Sequence, residues 1–297
     1  MNFDIKTYLE SRKAWVEEAL SQRIDVSEEP RPLFEAMSYS LLAGGKRIRP
    51  ILMMAAYEIF AEDARKILPF ACALEMIHTY SLIHDDLPAM DDDDLRRGKP
   101  TCHKVFGDAM AILAGDALLT EAFALITNGE ETSAWPAQLR LAAAHELAVA
   151  AGMRGMVGGQ AMDILSEHKA VSIDTVHFIH TRKTGALIRA AVRMGSILGN
   201  APAHALEKVS RYGEAIGMAF QIVDDILDVE GDTAVLGKAA GADGKLEKAT
   251  YPHVVGLEAS KTKAKELIEE AKSALAPFGD RAVPLHGIAD LILERKK

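Results

Sequence analysis

An all-α fold is predicted for this chain by three features of its sequence. Apolar residues recur at helical spacing almost throughout. The composition is rich in Ala, Leu, Met, Glu and Lys and only 6% aromatic, which favours helix over strand. No run of strict apolar–polar alternation is long enough to build a sheet, so strands are not expected. With 297 residues, 49% of them hydrophobic, the chain can bury a substantial core. No Pro/Gly/Ser-rich linker divides it and no fixed-period repeat is present, so one domain over 1–297 is expected.

Pro32 opens the first expected helix and Gly44-Gly45 closes it, because proline loses nothing at a helix start and glycine accepts the angles that end one. Pro50 opens the next, with Ile51, Met54, Ala55 and Ile59 on one face. Pro69 opens a third, running through Leu74, Ile77 and Leu82 to Asp85-Asp86. Further helical stretches cover 107–128, 136–157, 172–198, 203–229, 255–275 and 284–295. The longest irregular segment, Gly231 to Pro252, is glycine-rich and holds Lys238, Lys245 and Lys248. Its composition fits either a mobile surface loop or an active-site lid.

The formal charge of −9 argues against nucleic-acid binding, since phosphate backbones select basic surfaces. It leaves room for a phosphate-bearing small molecule, for which a few local cations suffice. Cys72 and Cys102 have neither metal-binding nor redox spacing. Two free thiols in a chain of this size fit a reducing cytosol, so a cytoplasmic location is expected. The segment Met1 to Glu10 lacks an apolar run after a basic one, so no secretory signal is expected. No charge-free apolar window reaches about 18 residues, so no membrane span is expected either.

Six of the ten residues from 85 to 94 are aspartate. A charge run is ordinarily a solvated turn. This one ends a strongly apolar helix and is followed at once by Arg96, Arg97 and Lys99. Carboxylates packed this densely repel unless cations intervene, and oxygen-only ligands point to a hard cation such as Mg²⁺.

A second acidic motif is more informative. Gln221, Asp224, Asp225 and Asp228 fall at i, i+3, i+4 and i+7, which predicts a single polar stripe on a helix. Ile222, Val223, Ile226, Leu227 and Val229 fill the other directions, so that helix belongs in the core. A buried row of carboxylates is costly unless it is paired or faces metal. The motifs lie 139 residues apart (224 minus 85), so they can face each other across a bundle. Bridging Mg²⁺ would let both acidic walls grip one diphosphate.

Candidate anion-binding residues surround these motifs. Lys46 and Arg49 lie just after a Gly turn, and arginine offers phosphate a bidentate fork. Arg96 and Arg97 follow the first motif directly, and Lys183-Thr184-Gly185 interrupts a helical pattern, where the glycine predicts close backbone approach or a break. His78 lies two helical turns before Asp85 on the same face.

Taken in order, GGKRIRP at 44–50, SLIHDDLPAMDDDDLRRGKPTCH at 81–103, GMVGGQAMDI at 155–164, KTG at 183–185, FQIVDDILD at 220–228 and GDTAVLGK…KATYP at 231–252 resemble the trans-isoprenyl diphosphate synthase family, in its bacterial farnesyl diphosphate synthase branch. The resemblance covers nearly the whole chain. It implies an isoprenoid synthase helical bundle around a deep central cavity, and a homodimer. It implies that Asp85 and Asp91 bind two Mg²⁺ ions and Asp224 a third, supported by Asp86, Asp225 and Asp228. By the same resemblance, Lys46, Arg49, His78 and Arg97 hold isopentenyl diphosphate. Arg96, Lys183 and Lys238, with Lys248, hold the diphosphate of an allylic partner. Thr184 and Gln221 lie near the developing cation. The basic end Arg295-Lys296-Lys297 fits either a frayed tail or a contribution to closing the site.

The implied chemistry is ionisation of the allylic C–O bond, attack by the double bond of isopentenyl diphosphate and loss of a proton to the released diphosphate. Helical geometry puts Ser81, four residues before Asp85, more nearly beneath it than Tyr80. In the family a bulky aromatic at the fifth position stops elongation. Tyr80, together with the Pro88-Ala89 insertion, therefore implies a fifteen-carbon product, and a smaller residue there twenty carbons. A terpene cyclase would need neither the second aspartate motif nor the extra anion site. A non-catalytic partner subunit would lack key aspartates, and a helical scaffold would not explain the charge placement.

Overall fold

The computed structural model describes residues 3–231 and 250–295. Lys238, Lys248, Lys296, Lys297 and almost all of the expected 231–252 loop lie outside the described residues. The fold is built from helices: α1 (Ile5–Ser21), α2 (Arg31–Leu41), α3 (Ile48–Glu58), α4 (Leu68–Asp85), α5 (Cys102–Phe106), α6 (Asp108–Thr127), α7 (Ala137–Ala151), α8 (Met156–Ser166), α9 (Ile173–Ile179), α10 (Ala186–Leu198), α11 (Ala203–Glu230), α12 (Tyr251–Val255), α13 (Leu257–Leu275) and α14 (Val283–Leu293). The class is all-α, as the periodicity predicted. One two-residue ladder, Leu95–Arg96 against Lys99–Pro100, closes the turn after the first acidic motif and departs from the expectation of no strand.

The expected helix starts at Pro32 and Pro69 are observed, each proline lying in a first turn. Pro50 does not open its helix: α3 begins at Ile48, after Arg47 turns in left-handed conformation at φ 52°. The pattern also missed α1 and α8. α1 buries only Tyr8, Val16 and Leu20, too sparse an apolar set to read against its charges. The stretch 136–157 is two helices, because the chain breaks between Ala151 and Met156, around Gly152 and Gly155.

The centre is formed by α3 and α4, buried almost all round, with α10 and α11. α11 packs along α13, α4 along α6, and α10 between α3 and α11. Among the described residues, α6 is the one helix long and apolar enough, by length and composition, to cross a membrane. It carries Asp108, Asp116 and Glu121 and leaves Ile112 and Leu113 exposed. Cys72 and Cys102 are buried and unpaired.

Candidate active site

The C-terminal end of α4, the cavity-facing side of α8, the turn before α10 and the C-terminal half of α11 enclose a cavity of about 740 Å³. Asp85, Asp91 and Asp224 all line it, so the fold brings the two acidic motifs to one space. The backbone amide of Asp91 donates to the Asp85 carbonyl at 2.9 Å, which folds the acidic run back over the end of α4. Burial pushes the Asp85 carboxyl up to about 6, against the opposing pull of Lys183. Asp224 is likewise raised to about 6 by burial, although the Arg295 guanidinium donates to its Oδ1 at 2.7 Å. Two carboxyls raised this far are short of positive charge.

The remaining aspartates do other work. Asp86 does not line the cavity: its buried carboxylate accepts both Arg96 Nε contacts at 2.8 Å and an NH2 contact at 2.5 Å. Arg96 does line the cavity, so its guanidinium is tied from behind while reaching the space in front. The four residues share one arc of α11, as their spacing predicts, but only part of that arc faces the cavity. Asp224 and Asp225 are successive residues, about 100° apart around the helix axis. Asp224 faces the cavity with Gln221, whereas Asp225 is buried on another side. There it accepts the Tyr251 amide at 2.6 Å and lies 3.3 Å from His180 Nε2. Asp225 therefore pins α12 to α11. Asp228, one turn past Asp224, is not part of the cavity wall.

Lys183 and Thr184 sit on a π-helical turn, His180–Gly185, a backbone form that recurs at functional sites. Lys183 Nζ contacts Asp163 Oδ2 at 2.7 Å, and the Thr184 hydroxyl donates to Gln221 Oε1. A Cβ on Gly217 would stand 2.9 Å from the Gly185 Cα, so the glycine marks close backbone approach rather than a break.

Arg49, His78 and Arg97 form a basic corner of the same cavity. Arg49 NH1 meets His78 Nε2 at 3.2 Å. Burial, then the Arg49 charge, holds His78 well below its ordinary range, so the ring is neutral and accepts at Nε2. Arg97 donates to the Gly44 carbonyl. Gly45 stands at φ 128°, and a Cβ there would meet the Arg97 guanidinium at 2.6 Å. Lys46 lies outside the wall; burial and then Arg295 lower its ammonium, while Asp224 draws it the other way. Tyr80 and Ser81 both line the cavity below Asp85, with the Tyr80 ring edge-on to His84 at 5.7 Å.

Several wall residues had no role in the sequence reading. Met156, Gln160 and Ile164 are spaced as one face of α8 and line the cavity, while Asp163 on the same helix holds Lys183 from behind. That spacing was legible in GMVGGQAMDI once the segment is taken as a helix. Phe220 and Met90 complete the apolar part.

Mg²⁺ fits the donor set. The cavity offers oxygen ligands on opposite walls, and no Cys lines it. Among the described residues no three His, Cys, Asp or Glu side chains converge enough to hold an ion alone.

Residues 30–277 match the model of the polyprenyl synthetase family. Similar chains include farnesyl diphosphate synthase of Escherichia coli, 47% identical over 99% of this chain and 100% of that one. Geranylgeranyl diphosphate synthase of Cyanophora paradoxa is 48% identical over 99% of this chain and 97% of that one. Among solved structures, an FPP/GFPP synthase from Zymomonas mobilis superposes with a TM-score of 0.88 at 40% identity, covering 97% of this chain and 98% of that one. The chain belongs to the polyprenyl synthetase family. It is a prenyltransferase that makes trans-prenyl diphosphates.

Proposed function

We propose that this enzyme condenses isopentenyl diphosphate with dimethylallyl and then geranyl diphosphate to make farnesyl diphosphate. The observation that carries this reading is Tyr80. Its ring stands in the cavity wall on α4, between Asp85 and the fully buried Met76 and Ile77 one turn deeper. Relatives of nearly equal identity carry farnesyl and geranylgeranyl names, so geranylgeranyl diphosphate is the alternative product.

Asp85 and Asp91 would hold two Mg²⁺ ions and Asp224 a third, with Asp86, Asp225 and Asp228 in support. The metal supplies neutralising charge for the leaving diphosphate. Arg96 and Lys183 add fixed positive charge at the same wall, each held from behind by a carboxylate, Asp86 or Asp163. Thr184 and Gln221 present oxygen dipoles to the carbon that turns cationic, and they lack the nucleophilicity to trap it. Lys46, Arg49, His78 and Arg97 orient isopentenyl diphosphate for attack. Phe220, Met90 and the apolar side of α8 keep water from the cation. Lys238 and Lys248 belong to the same reading of the allylic site.

The working unit is a homodimer in the cytoplasm. Ile112 and Leu113 on α6, and Val157, Ile164 and Leu165 on α8, are exposed on the single chain. Val157 and Ile164 also line the cavity, so a second copy would cover one wall of the site. The test is incubation with Mg²⁺, isopentenyl diphosphate and dimethylallyl diphosphate, followed by chromatography of the dephosphorylated products. Farnesol is expected. A twenty-carbon alcohol overturns the product assignment, and a cyclised hydrocarbon or no elongation overturns the reading as a whole.

A further inference from the structure

Arg47 has no place in the cavity wall, yet it is among the most buried charges of the protein. Its side chain is 1% exposed and that of Glu75, on α4, is 2% exposed. Arg47 NH1 donates to Glu75 Oε1 at 2.6 Å and NH2 to the Leu41 carbonyl at 2.8 Å. Glu17 of α1 approaches Nε at 3.8 Å. One guanidinium therefore ties the end of α2, the start of α3 and the middle of α4. The backbone of Arg47 is left-handed at φ 52°, a conformation that a non-glycine residue keeps only where its surroundings dictate it.

What this fork holds is the turn that carries the metal-independent anion anchors. Lys46 and Arg49 flank Arg47 in sequence. Glu75 lies three residues before His78 on α4, and His78 meets Arg49 at 3.2 Å. Arg97 reaches the same turn through the Gly44 carbonyl. Both sides of the basic corner are thus connected to one buried ion pair. A buried ion pair is a poor device for stability, because well-packed apolar side chains serve as well or better. Its value lies in direction: the arginine fork fixes two bonds in one plane, and anchors fixed before the ligand arrives lose less freedom on binding.

We propose that Arg47, held by Glu75, is a positioning residue that sets the affinity of the second diphosphate site, the one read above as binding isopentenyl diphosphate; the inference rests on that reading. It acts through Lys46 and Arg49 and leaves the Asp85–Asp224 side of the cavity alone. Arg47→Met by itself leaves Glu75 buried without its cation and tests folding more than binding.

Two variants separate the effects. Arg47→Met/Glu75→Leu removes both charges and keeps apolar volume. Arg47→Lys keeps a charge beside Glu75 but has no fork with which to reach Leu41 as well. Steady-state rates are measured with isopentenyl and geranyl diphosphate varied separately, beside thermal unfolding. In both variants the KM for isopentenyl diphosphate is expected to rise about tenfold or more, with the geranyl diphosphate KM and kcat within about threefold of the parent. The double variant is expected to unfold no earlier than the parent. An isopentenyl diphosphate KM within about twofold of the parent, or an equal rise in both KM values, overturns the inference. A parent enzyme that elongates normally while the variants show no selective change refutes this inference alone. A parent that consumes no isopentenyl diphosphate refutes the site reading on which it rests.

Discussion

Replacing Tyr80 with alanine tests whether α4 sets product length. Tyr80 stands five residues before Asp85, about 7.5 Å along the helix axis at about 1.5 Å per residue. Met76 and Ile77, the next layer of the same helix, are fully buried. A prenyl unit adds four carbons in line, roughly the length of one helical turn of about 5.4 Å. Truncation therefore opens room for one more unit before Met76 and Ile77 become the floor. Burying the five added carbons contributes at most about 4 kcal/mol, at about 0.8 kcal/mol per carbon group. That is enough to change the preferred product by up to roughly three decades. The loss of the ring costs about 3 kcal/mol of stability, the low end for an aromatic, because the new space joins an existing cavity. The assay is chain-length analysis of dephosphorylated products made from isopentenyl and dimethylallyl diphosphate. The variant should make mainly the twenty-carbon alcohol. An unchanged product from a variant that keeps its helical circular dichroism and its turnover refutes the reasoning.

The raised carboxyls of Asp85 and Asp224 make a pH prediction. Between the ordinary 3.8 and about 6 the folded protein holds protons that the unfolded chain releases, so metal-free stability falls as pH rises through that window. Mg²⁺ with inorganic pyrophosphate binds the deprotonated pair, so its affinity should fall below pH about 6 by up to about tenfold per unit and carboxyl. Calorimetric titrations across that range check this, and a flat profile would count against the two acids as ligands. Asp225→Asn should cost about 1.5–3 kcal/mol in urea unfolding, since it weakens the bond to the Tyr251 amide. Its Mg²⁺–pyrophosphate affinity should stay near the parent value; a loss equal to that of Asp224→Asn would return Asp225 to the metal set. In Gly159→Ala the added Cβ would stand 2.2 Å from the Lys183 backbone nitrogen. That should cost about 1–3 kcal/mol and lower kcat by displacing Lys183. Parent-like melting and kcat would refute it.

Much of the site was readable because its signals are local. Asp85 and Asp224 are marked by carboxylates on apolar helices, and Arg49 by a glycine turn. Asp91, Arg96 and Arg97 lie close in sequence to Asp85, so the loop that places them is short. α8 went unread because its apolar residues Met156, Val157 and Ile164 line the cavity, inside a glycine-rich segment, so the apolar pattern is not that of a core helix. Arg47 and Glu75 went unread because a buried ion pair 28 residues apart leaves no periodic trace.

The sequence by itself determined the helical class and the two acidic motifs, because helix periodicity and charge repulsion act over a few residues. Only the tertiary structure decided which aspartates face the cavity. Asp224 and Asp225 are neighbours with the same chemistry. A rotation of about 100° per residue sends one to the cavity and the other to the Tyr251 amide. Likewise Asp86 belongs to Arg96, and Asp163 to Lys183, because packing brought those partners within hydrogen-bond distance. A carboxylate's function follows from what lies opposite it, and that is fixed by how the helices cross.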